Sequence, residues 1–224
     1  FLLALLPYPL LAQPGGLTVE NKAGFDGCFR PGEWTPVFVT VSNQPAPGQA
    51  IEDLEEFDGQ LMTIFEPVEG SPVRFARPIQ APPASTKRYV LYAKMPQALN
   101  SQPVLLLNRK NGKTEGTFPL DLNPLDHERA LLVSISREGA RPNLPLMRGG
   151  LDYILFSKIL EKELPDHWAA WDSADIVVMQ GWPQAGVSAD AAQALRDWVT
   201  MGDTLALVNG RDYASFQDSA AREM

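Results

Sequence analysis

The sequence predicts two units in series: an all-β sandwich over the first half, then an incomplete α/β unit with a mostly parallel sheet. Three observations lead there. From Leu17 to Leu122, short β-type runs are separated by Pro and Gly, and no convincing helix interrupts them. Beyond Asn123-Pro124-Leu125-Asp126 the period changes: ALLVSIS (130–136) is apolar almost throughout, as a strand buried on both faces is. A single stretch, VSADAAQALRDWVTMG, has helical spacing and lies between two such strands. The expected boundaries are 1–14 for a leader, 15–122 for the sandwich, 123–128 for a linker, and 129–224 for an α/β unit cut short at its C-terminus.

In the first half, LTVENKAGF alternates weakly, and TPVFVTVSN (35–43) is the strongest strand in the chain. Its Val37, Val39 and Val41 share one face, with Phe38 and Thr40 on the other. GQLMTIFEP (59–67) and VRFARPIQ (73–80) follow; STKRYVLYAKM (85–95) sets Tyr89, Leu91 and Ala93 against Val90 and Tyr92. PVLLLNRKNGKTEGTFPLDL reads as a hairpin, because Asn111-Gly112 suits a type I′ turn with φ > 0 at both central positions. About seven strands at this turn-rich spacing predict a sandwich. Arg30-Pro31-Gly32 predicts a turn, and Trp34 beyond it has a large area to bury, so a core position is expected. A sugar-stacking surface is the functional alternative for Trp34. The acidic loop QAIEDLEEFDG (49–59) offers Glu52, Asp53, Glu55, Glu56 and Asp58, but not in the order of a calcium loop, so a solvated loop is expected. The stretch GCFRPGEWTP leading into a strand that ends in Ser-Asn resembles the Ig-like domains of exported bacterial proteins, which implies an Ig-like sandwich.

In the second half, ALLVSIS predicts a buried strand and RPNLPLMRGG a loop. LDYILFSKIL (151–160) is rich in β-branched and aromatic residues and is read as a strand, and PDHWAAWDS as a short helical turn opened by Pro165. ADIVVMQGW (174–182) is a further buried strand. In the helix, Ser188 is the expected N-cap and Asp190 complements the dipole. Ala191, Leu195, Trp198 and Val199 form the apolar face, and Gly202 ends it. TLALV follows as another buried strand. Strand-helix-strand order of this kind implies a largely parallel sheet.

The segment WDSADIVVMQGW…VSADAAQALRDWVTMGDTLALVNG resembles class I glutamine amidotransferase-like domains, and more closely their non-catalytic relatives in exported or membrane-anchored bacterial proteins. The resemblance implies a flavodoxin-like unit. In the catalytic relatives, the strand matching Thr204–Val208 leads into a turn presenting cysteine. Here that turn is Asn209-Gly210-Arg211, which supplies no nucleophile, and Ser215 beyond it lacks a Gly-x-Ser-x-Gly setting. A binding site is still expected where such sheets place ligands, at the carboxyl ends of the strands: Arg137, Trp182, Asn209, Gly210 and Arg211.

Composition narrows the partners. The 224 residues carry a formal charge of −8, which argues against nucleic acid and anionic membrane surfaces. The single cysteine, Cys28, excludes an intrachain disulfide, and an inert buried thiol is expected. His127 and His167 stand apart and make no zinc pattern; no metal and no cofactor is expected. The opening run FLLALLPYPLLA, followed by Gln13-Pro14-Gly15-Gly16, looks like the rear of a secretory signal peptide. The chain starts at Phe1 and stops in DSAAREM, so a fragment of a longer, exported and membrane-anchored product is expected. The expected role is that of a non-catalytic periplasmic or envelope protein, a stalk plus an interaction unit, whose partner is another envelope protein or a polysaccharide. A hydrolase with its catalytic residues outside the chain, and a carbohydrate-binding module centred on Trp34 or Trp182, are the alternatives.

Overall fold

The computed structural model describes residues 16–65, 72–95, 103–136, 154–180 and 187–208. The first half forms nine strands: β1 (Leu17–Ala23), β2 (Cys28–Phe29), β3 (Trp34–Asn43), β4 (Phe57–Phe65), β5 (Val73–Ala81), β6 (Ser85–Lys94), β7 (Pro103–Asn108), β8 (Thr114–Pro119) and β9 (Asn123–Pro124). Seven of them build two antiparallel sheets, in the orders β1-β3-β6 and β5-β4-β7-β8. Val37, Val39 and Val41, with Leu91 of the same sheet, face Leu61, Phe65, Ile79 and Leu106 across the core between them. The expected valine row is therefore the inward row of β3.

The hairpin β7–β8 departs from the expected turn. Gly112 takes a positive φ of 68°, but Asn111 does not. The loop is longer than two residues: Asn108 N donates to the Lys113 carbonyl at 2.9 Å, and Gly112 N to the Asn108 carbonyl at 2.9 Å. Asparagine side chains close it, Asn108 Oδ1 accepting from Lys110 N and Asn111 Oδ1 from Lys113 N. The Asn-Gly pair thus marks the hairpin but works through side-chain capping, with the left-handed position left to Gly112 alone.

The second half adds β10 (Ala130–Ser136), β11 (Ile154–Leu160), β12 (Ile176–Gln180), α1 (Ala189–Thr200) and β13 (Thr204–Val208). Its four strands are parallel, in the order β11-β10-β12-β13. Leu131 to Ile135 are buried without a break, which is why this stretch is apolar with no alternation. Ser188 caps α1, its Oγ accepting from Ala191 N at 3.1 Å, and Gly202 follows the helix at φ 112°. Among the described residues α1 is the sole α-helix, and the chain is mostly β. The helical layers of the expected flavodoxin-like unit are not present there. The β11–β12 connection, residues 161–175, holds two 3-10 turns, Glu161–Glu163 and Trp168–Trp171, and no α-helix. β13 also departs from expectation: Thr204 and Val208 are exposed and the residues between half-buried, since among the described residues β13 pairs with β12 on one side and is the last strand in the order.

The two halves do not merely adjoin. A second apolar core gathers Leu131, Val133 and Ile135 of β10, Val177 and Met179 of β12, and Leu195 and Trp198 of α1 around Trp171. Phe25, Cys28 and Phe38 of the sandwich, and Leu125 of the connection, belong to the same core. Phe38 is the residue opposite the valine row, so both faces of β3 are buried. Asn123-Pro124 is drawn in as well: β9 pairs in parallel with β2, and Leu125 N donates to the Phe29 carbonyl at 2.9 Å.

A left-handed turn drives this docking. Gly24, Asp26 and Gly27 have φ of 58°, 54° and 83°. A Cβ on Gly24 would lie 2.1 Å from the Cys28 carbonyl oxygen, so glycine is required there. The turn projects Phe25 onto Trp171, ring centroids 5.2 Å apart and 23° from parallel. Its neighbour Asp26 accepts from Ser157 Oγ at 3.0 Å and Lys158 N at 3.1 Å on β11, and pairs with Lys22. Burial works against the Asp26 charge, but these donors outweigh it and hold the carboxyl below its ordinary range.

Trp171→Ala would empty the centre of the shared core. The expected loss is about 3–5 kcal/mol in chemical denaturation. The unfolding should remain one transition, coincident by circular dichroism and by tryptophan fluorescence; two separated transitions would show that the halves unfold independently.

Candidate functional site

The turn at Arg30-Pro31-Gly32 sets up the junction. Gly32 takes a φ of 89°, Glu33 N donates to the Arg30 carbonyl at 3.2 Å, and Gly32 N reaches the Met95 carbonyl at 2.8 Å. From this turn Arg30 crosses to the second half, donating to Asp175 and to the Arg129 carbonyl at 3.0 Å. Asp175 also accepts from Leu131 N at 2.7 Å, so the same carboxylate holds the start of β10. Trp34 N donates to Asp172 Oδ2 at 3.1 Å. A further bridge, Arg88 to Glu163 at 2.9 Å, lies over the Phe38 ring at 4.4 Å.

Beside this clamp the sandwich is open. Among the described residues β5 and β6 are the terminal strands of their respective sheets. Their edges are partly stitched together: Tyr89 OH bonds both backbone groups of Gln80, and Arg77 donates to the Val90 carbonyl at 2.6 Å. What remains is a cleft of about 600 Å³ between the two strands, walled on its third side by Asp166 and His167 of the second half. Trp34, Phe75, Tyr92 and His167 contribute rings. Trp34 meets Phe75 edge-on at 5.5 Å, and Tyr92 lies 5.4 Å from His167. Arg74 and Arg77 contribute guanidinium groups. The one carboxylate among the described lining residues, Asp166, accepts from Tyr92 OH, and Asp166 N donates back to that oxygen at 3.2 Å. Burial, then the Asp166 carboxylate, push the Tyr92 phenol well above its ordinary range, so it stays a neutral donor. His167 is oriented by its own turn, Nδ1 accepting from Ala169 N at 3.2 Å.

A group of carboxyls lies behind Trp34. A hydrogen bond to Asp172, then burial, raise the Glu33 carboxyl, and burial with the charges of Asp172 and Asp175 raises Asp203. Two facing carboxyls share a proton more readily than they both ionise. The raised Glu33 group contributes stability that is complete below its unfolded value and is lost as pH rises through its folded value.

Among the residues expected to act, Arg137, Trp182, Asn209, Gly210, Arg211 and Ser215 lie outside the described residues, as does the leader-like run 1–14. Trp34 is half-buried at the cleft and is not a core plug: it opens β3 at the sandwich rim, where its backbone is tied to Asp172. Cys28 is buried, accepts from Asn123 Nδ2 at 3.4 Å, and its thiol is pushed up, chiefly by burial. His127 is exposed. The acidic loop holds a 3-10 turn at Ile51–Asp53, with Asp58 facing Arg109 at 3.7 Å. Among the described residues no three His, Cys, Asp or Glu side chains gather to hold a metal, and no helix is long and apolar enough to cross a membrane. Arg74, Phe75, Arg77, Tyr92 and Asp166 were not anticipated. One signal existed: in VRFARPIQA, Arg77 falls on the same row as Ile79 and Ala81, so an arginine occupies an inward position.

The family described as Domain of unknown function (DUF8726) matches residues 16–121, the span from the start of β1 to just beyond β8. No curated protein matches the sequence. Among solved structures, Spo0M, a sporulation control protein from Bacillus subtilis, is similar at 12% identity and a TM-score of 0.24, over 49% of this chain and 51% of that one. The cycloisomaltooligosaccharide glucanotransferase of a Paenibacillus species, complexed with cycloisomaltoheptaose, aligns at 11% identity and a TM-score of 0.28, over 88% of this chain and 30% of that one. A calcium-binding mutant of Bacteroides uniformis beta-glucuronidase 2 aligns at 14% identity and a TM-score of 0.27, over 89% and 24%. The chain spans about half or less of these proteins, and likeness at this level assigns neither fold nor activity.

Glu33→Gln places an amide donor beside Asp172. The variant is expected to melt above the wild type at pH 7–8, with the advantage shrinking as pH falls toward 4, in thermal melts across that range. An equal shift at every pH would contradict the shared-proton account.

Proposed function

We propose that this chain is the non-catalytic binding part of an exported bacterial envelope protein, and that its ligand, an envelope polysaccharide, seats in the cleft between β5, β6 and Asp166-His167. The observation that carries the reading is the lining itself: four rings and two arginines around about 600 Å³, contributed by both halves of the chain. Rings bury the apolar faces of sugars, and guanidinium groups fix their polar edges. Among the described residues the lining contains no serine, cysteine or threonine for a base to activate.

The sequence supports the surrounding picture. The signal-like opening favours export. The second half, a four-stranded parallel sheet with α1 between β12 and β13, completes the cleft and offers an interaction surface. The sandwich is the stalk and, through its β5–β6 edge, most of the binding wall.

Affinity electrophoresis through gels containing envelope polysaccharides tests this reading. The wild type is expected to be retarded by at least one of them. Trp34→Ala is expected to abolish that retardation while its far-ultraviolet circular dichroism is unchanged. A wild type that migrates freely in every gel, or a Trp34→Ala variant retarded as strongly as the wild type, would overturn it.

A further inference from the structure

We infer that the ligand of this cleft is a carboxylate-bearing glycan, a chain containing uronic acids, and that Arg74 and Arg77 read its carboxylates. The inference rests on the binding reading above and specifies the ligand it takes.

The charge pattern carries it. The chain as a whole has a formal charge of −8, and another cleft, about 360 Å³ at the acidic loop, is lined by Asp53, Glu55, Glu56, Asp58 and Glu115 with Lys110 as its one described cation. The aromatic cleft is the reverse: among the described residues of its lining, two guanidinium groups stand against the single carboxylate of Asp166. That carboxylate is already occupied by Tyr92 OH, which reduces its repulsion toward an incoming anion. Arg77 is half-buried and pinned through one nitrogen to the Val90 carbonyl, so it reaches the site already ordered. Arg74 is exposed on the terminal strand β5 and makes no ion pair with any described residue. A pre-placed arginine and one without an ion pair among the described residues, beside flat rings, match a ligand that alternates apolar ring faces with carboxylates. Guanidinium groups bind carboxylates through paired N–H donors, which a neutral sugar cannot repay. In an acidic protein such a local positive site also selects against its own acidic surface elsewhere.

The test uses the whole chain and three defined probes: alginate, hyaluronan and polygalacturonate, each beside its carboxyl-reduced, neutral form. Binding is read by affinity electrophoresis and by isothermal titration at low and at raised salt. The expected result is that at least one acidic polymer binds ten-fold or more tightly than its reduced form, and that added salt weakens it. Arg74→Gln should erase that preference, while Arg109→Gln, on the distant β7–β8 loop, should leave it intact. If acidic and reduced forms bind equally, or if Arg74→Gln keeps the preference, the carboxylate inference fails and the polysaccharide reading stands. If envelope polysaccharides retard the chain but none of the six probes binds, the inference also fails. If nothing binds in either assay, both fail.

Discussion

The stack of Phe25 on Trp171 is the contact on which the rest of this structure turns. It needs a left-handed turn that glycine at 24 and 27 allows, and it carries a ring from the sandwich into the middle of the second core. Halves of a chain that meet through polar, hydrated surfaces move against one another by default. Here the meeting surface is the interior of a core, with the polar contacts of Asp26, Arg30 and Arg88 placed around its margin. Apolar burial supplies the stability, and the surrounding charges fix the angle at which the halves meet.

The cleft is a consequence of that docking. The open edge of a sandwich is a hazard, since unpaired strands invite pairing with other chains. Tyr89 and Arg77 occupy part of the edge with side-chain bonds, and the second half covers another part with Asp166 and His167. Between these covers a walled space is left, and its rings are those that the two halves present to each other. Neither half alone would form it: Trp34 and Tyr92 come from the sandwich, and both are bonded to aspartates of the second half.

Much of the fold was legible in the sequence because each segment obeyed one period. The valine row of β3, the apolar run of β10 and the Ser188-to-Gly202 helix follow local rules that tertiary packing did not override. What was not legible is what depends on contact between distant segments. Phe38 read as an outward residue of a strand, and it is outward from the sandwich, but a second core waits there. Asn123-Pro124 read as a linker by composition, yet it pairs with β2. Trp34 read as a core residue because aromatic area is usually buried; its position as the first residue of β3, at the sandwich rim, leaves it half-covered instead. The cleft was invisible for the same reason, since its lining comes from four separate stretches and no one of them carries a motif.

Native-state hydrogen exchange tests the central claim, that the two halves are one cooperative body, most directly. The amides of Val39 in β3 and Val133 in β10 lie at the centres of the two cores. If the account holds, both exchange through the same global opening, with equal free energies and equal sensitivity to denaturant. An amide of β10 that exchanges through an opening which leaves β3 protected would contradict it, and would reduce the junction to a contact between separate domains.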